Sequence, residues 1–376
     1  MMKTKQPLIR VVRRTDFPLW ATILIYIGAI IVALSIGALL LMAIKVNPTA
    51  YYKDMFTIGA LGNRFAYKNF EGLIKLFVPL LITSLALSLA FKMKFWNIGG
   101  EGQFIMGAIS ASTVALILGN TLPSGLVLIL MALCGALSAG IYGLLVACLK
   151  VKWGTNETLL TLMLNYIALY ILRFFGETKA DWNFFLSTDS ERPVFATFPE
   201  GAWMYTIKIG KFSLNITLII ALLLCVFLYI YLKKTKHGYE ISVVGDSPST
   251  AKYAGMKVGR IVMRTMFFSA SLIGLAGAFY VSTSHTLSTS VTNNVGWTGI
   301  IVAWLSRLSP IGIFVTSILI SILRFGCQIA ATNFPVIDSN FADLLQGIIL
   351  FVVLMADFLT RFKIVFRQKQ IKEVQD

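Results

Sequence analysis

Four polar side chains stand where an apolar chain has least reason to carry them: Asn97, Glu101 and Gln103 at the head of one apolar run, and Asn165 nine residues into another. Polar groups in hydrocarbon are costly unless they pair or face a water-filled cavity. The Asn165 amide therefore has two uses. It can hydrogen-bond a hydroxyl or ring edge of a passing polar molecule, with Tyr166 as a stacking face, or it can tie two helices together. Glu101 lies close to a helix start, where capping of backbone N–H groups is the favoured reading. Asn294 and Trp297 open a second run with the same glycine spacing. For Trp297 a place in the interfacial aromatic belt is favoured over the lining of an outer vestibule.

Other chemistries lack their residues. His237 and His285 are the only imidazoles, and Cys134, Cys148, Cys225 and Cys327 lie in or at the ends of apolar runs without Cys-x-x-Cys or Cys/His spacing. The thiols read as small buried apolar groups, and no metal site is expected. A Gly-x-x-x-x-Gly-Lys-Ser/Thr sequence is missing, so the chain does not hydrolyse ATP through a phosphate loop of its own. Energy must come from a partner subunit or an ion gradient. Neither a Gly-x-Ser-x-Gly elbow nor paired carboxylates on one helix face stand out, which leaves an enzymatic reading without catalytic groups.

What must position these groups is a membrane-embedded bundle. The 376 residues are 57% apolar and 13% charged, with a mean hydropathy of +0.78. That is more apolar surface than a soluble domain of this size hides. The net charge of +16 is spread between apolar runs instead of forming a basic domain, which is a pattern that orients a membrane protein among acidic lipids, and no nucleic-acid partner is expected. Lys3, Lys5, Arg10, Arg13 and Arg14 precede an apolar run too long for a cleaved signal, read here as a retained first span.

Apolar runs occupy residues 20–44, 73–91, 98–119, 123–149, 157–175, 213–232, 263–283, 295–306, 310–327 and 343–360. At 1.5 Å per residue all but the eighth approach the length that crosses about 30 Å of hydrocarbon, and the eighth suits a broken or re-entrant helix. The expected fold is an all-α polytopic bundle of about ten spans. With the N-terminus inside, Lys92/Lys94, Lys150/Lys152, the 233–262 loop, Arg307 and the 361–376 tail share one basic side. The opposite side receives Asn120–Ser124, Ser284–Asn294 and the charge-balanced 176–212 loop with Asp189, while the basic 45–72 loop is the exception.

Asn97-Ile-Gly-Gly-Glu-Gly102 and Asn294-Val-Gly-Trp-Thr-Gly299 both read N-x-G-x-x-G. In this topology the first starts at the inner face and the second at the outer face, so that spans two to five and seven to ten form an inverted repeat. Glu157-Thr-Leu-Leu and Asp343-Leu-Leu open the last span of each half, where an acid complements a helix N-terminus. Glycine-broken spans in inverted halves point to a pathway near the midplane, or to close helix packing through small residues. On the basic side, Lys233–Arg264 reads as a loop through His237-Gly-Tyr-Glu240, a turn at Ser247-Pro248 and a short helix ended by Gly255: a docked lever, or a connector that only sets topology.

NIGGEGQ at 97–103, TNETLLTLMLNYIA at 155–168, VVGDSPSTAKYAGM at 243–256, SASLIGLAGA at 269–278 and GWTGIIVA at 296–303 resemble segments of permeases of the ribose and branched-chain amino-acid superfamily of ABC transporters. Within it they look most like bacterial nucleoside permeases that work with basic-membrane-protein-type receptors. The apolar runs and loop charges divide the chain into 1–19 (cytoplasmic tail), 20–360 (transmembrane permease) and 361–376 (basic cytoplasmic tail). The resemblance, which covers about residues 73–360, implies a type II importer fold in the bacterial cell membrane. It also implies a second permease, homologous or identical, an external substrate-binding lipoprotein, and ATP-binding-cassette subunits that bind and hydrolyse ATP; this chain itself carries no cofactor. Asn97, Glu101, Gln103, Asn165, Tyr166, Asn294 and Trp297 are then the candidates for the solute pathway, and Gly245, Asp246, Ala251, Tyr253, Ala254 and Gly255 for ATPase coupling. Gly100 departs from the Ala common in relatives. Two rivals remain: a permease for simple sugars such as ribose, and an ion-coupled secondary transporter using buried ionisable groups such as Glu101, Arg173, Arg324 and Asp357.

Overall fold

Apolar runs long enough to satisfy their own backbone in hydrocarbon become helices, and polar residues at their ends stop them. The computed structural model describes residues 9–13, 18–60, 65–188, 190–334, 336–337 and 339–366. Its helices are α1 (Leu19–Ala43), α2 (Pro48–Phe56), α3 (Ala66–Lys92), α4 (Gly100–Leu118), α5 (Ser124–Trp153), α6 (Glu157–Glu177), α7 (Ile216–Lys234), α8 (Lys236–Asp246), α9 (Pro248–Tyr253), α10 (Val258–Ser284), α11 (Val295–Leu305), α12 (Pro310–Asn333) and α13 (Ser339–Arg361). The strands are β1 (Ile9–Arg13), β2 (Thr206–Ile209), β3 (Phe212–Asn215) and β4 (Phe362–Phe366). Among the described residues, nine helices are long and apolar enough to cross a membrane, and α11 is a shorter apolar one. The polytopic helical fold expected from the sequence is the one observed.

Local differences have local causes. The expected sixth span starts inside a hairpin, because Thr206–Asn215 alternates and turns at Gly210 (φ +61°) to pair β2 with β3. His237-Gly-Tyr-Glu240 is helical instead of a loop: Thr235 caps α8, its hydroxyl accepting from Gly238 N (3.2 Å). The 45–72 loop contains α2 and the start of α3. Asp343 lies a turn inside α13 and is exposed, so it does not cap that helix; Glu157 does sit in the first turn of α6, beside the cap Asn156 and 2.6 Å from Lys150. Asp189, Arg64, Lys3, Lys5 and Arg14 lie outside the described residues. All four cysteines are free thiols.

Contacts divide the chain into two compact units, residues 1–55 with 327–376, and residues 56–326. In the first, α1 lies along α13, joined by Tyr26 Oη donating to Asp357 Oδ1 at 2.8 Å. Tyr51 of α2 is fully buried with its ring edge-on to Phe341. β1 and β4 pair antiparallel, Ile9 opposite Phe366 and Arg13 opposite Phe362. Since β1 precedes α1 and β4 follows α13, their pairing puts Ile9–Arg13 and Phe362–Phe366 on one side of that helix pair.

In the second unit α3, α4 and α10 are mostly buried, whereas α5, α6 and α7 turn apolar side chains outward as lipid-facing helices do. Small residues bring the central helices together. A Cβ added to Gly107 of α4 would collide with the Gly274 backbone of α10, and Ser138 of α5 donates to the Met106 carbonyl of α4 at 3.2 Å.

Candidate functional site

The two N-x-G-x-x-G stretches meet. Glu101, in the first turn of α4, reaches the first turn of α11, where its Oε1 accepts from the backbone N–H of Gly296 (2.9 Å) and Trp297 (3.2 Å). A Cβ on Gly100 would lie 3.3 Å from Gly296 Cα, and one on Gly296 would strike Glu101 N. Glu101 is a capping group after all, but for the other repeat. A helix head carries unsatisfied N–H groups, and the buried Glu101 carboxyl group supplies the acceptor for two of those at the start of α11.

This geometry corrects the expectation that the motifs start on opposite faces. Gly102 N–H donates to Asn165 Oδ1 (2.8 Å), and Asn165 lies eight residues past the start of α6, about 12 Å along its axis. The head of α4 therefore packs beside the middle of α6 and against the head of α11, and α11, about 16 Å long, is too short to cross about 30 Å of hydrocarbon by itself. Residues 93–99 and 285–294 complete the two paths as non-helical chain, with Phe95, Asn97, Leu287 and Val291 buried. Hydropathy reports how long an apolar run is, not the depth at which its first helical turn forms.

The polar residues expected along a pathway hold this junction together. Asn165 Nδ2 donates to the Ile98 carbonyl (2.8 Å), so its amide ties down residue 98 and residue 102 at once. Asn97 and Gln103 exchange reciprocal amide bonds of 3.1 Å, and Asn97 Oδ1 also accepts from Gly99 N. Thr161, which sequence reasoning missed, accepts from Ile98 N at 3.2 Å; its signal was the spacing of four that puts it on the Asn165 face of α6. Tyr166, at 52% exposure, points away from this group. Asn294, in a left-handed conformation (φ +56°), and Trp297 are exposed at the α11 head, and with Tyr166 they are the accessible members of the expected set. Asn165→Leu would leave two buried backbone groups without partners at about 1–3 kcal/mol each. Thermal unfolding of the purified protein should register a loss of roughly 2–6 kcal/mol, whereas a wild-type melting temperature would show that the amide does not hold the loop.

The candidate coupling segment is built separately. Ser247 caps α9, its hydroxyl accepting from Thr250 N at 3.2 Å, and Gly255 (φ +77°) ends the turn after it. Ile241, Val244 and Ala251 form one buried cluster with Met93, Phe95, Val146 and Met266, which seats α8 and α9 on the ends of α3, α5 and α10. Gly245 is also buried, with no room for a Cβ against the Lys92 carbonyl, while Asp246, Tyr253, Ala254 and Gly255 face outward. The expected coupling residues thus split into a seat and an exposed face. Glu240 links α8 to α10 through Arg264 (2.8 Å), whose hydrogen bond holds the carboxyl below the usual carboxylate range against the opposing effect of burial.

Residues 69–354, well over half of the chain, match the family model described as branched-chain amino acid transport system / permease component. The chain belongs to this permease family. The permease is 31% identical over 309 residues to the nucleoside ABC transporter permease protein NupB of Lactococcus lactis, covering 81% of this chain and 83% of that one. It is 27% identical over 340 residues to the guanosine ABC transporter permease protein NupP of Bacillus subtilis (88% and 92% covered). It is 25% identical over 363 residues to the glucose ABC transporter permease protein TsgB13 of Haloferax volcanii (93% and 92%). The permease is thus a multi-pass cell-membrane subunit of an ABC transporter and not an enzyme, and family membership implies an ATPase and a substrate-binding partner.

Proposed function

We propose that this chain forms one half of the translocation pathway of an ATP-driven importer for nucleosides. The observation that carries the coupling is the α8–α9 pair, rigidly seated through Gly245 and Ala251 while Asp246, Tyr253 and Ala254 are presented outward. A partner ATPase, binding and hydrolysing ATP, docks on that exposed face. Its movement reaches the ends of α3, α5 and α10, and through α3 and the 93–99 segment the junction at Glu101. A second permease, identical or homologous, completes the pathway, lipid surrounds the pair, and an external lipoprotein delivers the solute. Asn294 and Trp297, exposed at the α11 head, are the groups that meet it.

The nucleoside class rests on the names of two relatives, and a sugar is the second reading, favoured by the glucose permease of similar coverage. Both termini and the 233–262 segment are cytoplasmic in this proposal, with the permease domain at 20–360 between tails 1–19 and 361–376; the β1–β4 pairing supports termini on one side and hence an even number of crossings. Uptake of labelled guanosine by cells carrying the permease with its co-purifying subunits tests the solute. Competition by unlabelled nucleosides but not glucose is expected; competition by glucose alone would replace the first reading with the second. Ala254→Trp, a bulky group on the docking face, should lower ATPase co-purification or uncouple hydrolysis from uptake. Wild-type coupling in that variant would reduce the segment to a connector.

A further inference from the structure

A cavity of 400 Å³ opens between α8–α9 and the ends of α5 and α6. Lys94, Lys150 and Lys252 line it with a single carboxylate, Glu157. Lys150 and Glu157 satisfy each other at 2.6 Å, which leaves Lys94 and Lys252 as the excess charge, both on exposed residues; Lys94 Nζ is 3.4 Å from the Asp246 carbonyl. The remaining wall is largely apolar, with Phe95 on one side and Val151 on the other. Nearby Trp153 is 63% exposed with Lys152 Nζ 4.7 Å over its ring, and Trp96 is 48% exposed. Exposed indoles beside long cations mark the depth at which hydrocarbon meets lipid head groups.

We infer that this cavity binds the head group of an anionic phospholipid, its phosphate between Lys94 and Lys252 and its glycerol against Val151 and Phe95. Cationic charge over an apolar wall at head-group depth matches a molecule that is anionic at one end and apolar at the other. An acidic loop of a protein partner fits less well. Val244, from the buried face of α8, lines the cavity with Pro248 and Lys252 of α9, whereas outward-facing Tyr253 does not. The site does not depend on the identity of the transported solute.

The test uses the full-length chain, purified in mild detergent, stripped of lipid and titrated with phosphatidylglycerol or phosphatidylcholine, with bound lipid counted by native mass spectrometry. One tightly held phosphatidylglycerol is expected, and the double variant Lys94→Gln/Lys252→Gln should weaken it by roughly thirtyfold at unchanged helical content, the effect of two lysines at a lipid surface. Val151→Trp, which keeps both lysines but fills the mouth, should weaken it as well. Equal retention of the two lipids, or wild-type retention in both variants, would overturn the site. Displacement by millimolar inorganic phosphate would assign it to a free anion and overturn the lipid. Loss of ATPase co-purification with phosphatidylglycerol binding intact would assign the lysines to a protein partner and overturn it too.

Discussion

Glu101→Leu should disconnect the two halves of the permease. The N–H groups of Gly296 and Trp297 lose the carboxylate they share in a buried place. Each buried donor left without an acceptor costs about 1–3 kcal/mol, with bonds to charged groups toward the upper end, so a loss of roughly 2–6 kcal/mol is expected together with loss of uptake. Glu101→Gln keeps a carbonyl oxygen in the same place and should retain most of the stability. If Gln instead behaves as Leu does, charge between the two positive helix heads, and not the acceptor alone, holds the junction. Unfolding of the purified permease and uptake per folded molecule measure both. Wild-type values for Glu101→Leu would remove the junction from the mechanism.

Gly245→Leu is expected to unseat the lever. The Lys92 carbonyl at the end of α3 occupies the space a Cβ would need, and Met93 Cα lies close behind. Forcing a side chain there moves α8 off the end of α3 and costs about 1–3 kcal/mol in overpacking. The larger effect is on coupling: ATP hydrolysis by the assembled transporter should continue while uptake falls by about tenfold or more, equivalent to about 1.4 kcal/mol lost from the coupled step. Gly255 behaves differently, since nothing crowds it but its φ of +77° penalises any bulky residue. A Gly255→Trp variant would mix strain with bulk, which makes Ala254→Trp the cleaner probe of the docking face. Normal coupling in Gly245→Leu would show that movement does not pass from α8 to α3.

The spans were legible because length and hydropathy act on each helix separately. Even the shortness of α11 is written in 295–306, where the apolar run stops at Arg307. Depth was not legible. Nothing in the composition of Asn97–Gln103 says that its helix starts beside the middle of α6, because Asn165 and Thr161 fix that level from more than sixty residues away. The same separation hid the roles of the polar residues. Asn165 looked equally suited to a solute or to a helix–helix tie, and Glu101 read as a cap without saying of which helix; both choices lie in tertiary contacts that a single sequence does not display. Two misses had local signals: Thr235 three residues before Gly238 announces the cap of α8, and the alternation around Gly210 announces the hairpin.

The junction also bears on how the protein is made. Glu101 and Gly296 are 195 positions apart, so a chain growing from the ribosome places α4 long before the head of α11 exists. Until Gly296 emerges, the Glu101 carboxyl group stands among apolar helices without its two backbone donors, which is a costly state in hydrocarbon. A product released before residue 296, even one that contains all of α10, keeps that unsatisfied carboxyl group. Arrival of the α11 head therefore erases a polar mark, and Glu101 separates a chain that has reached Gly296 and Trp297 from one that has not.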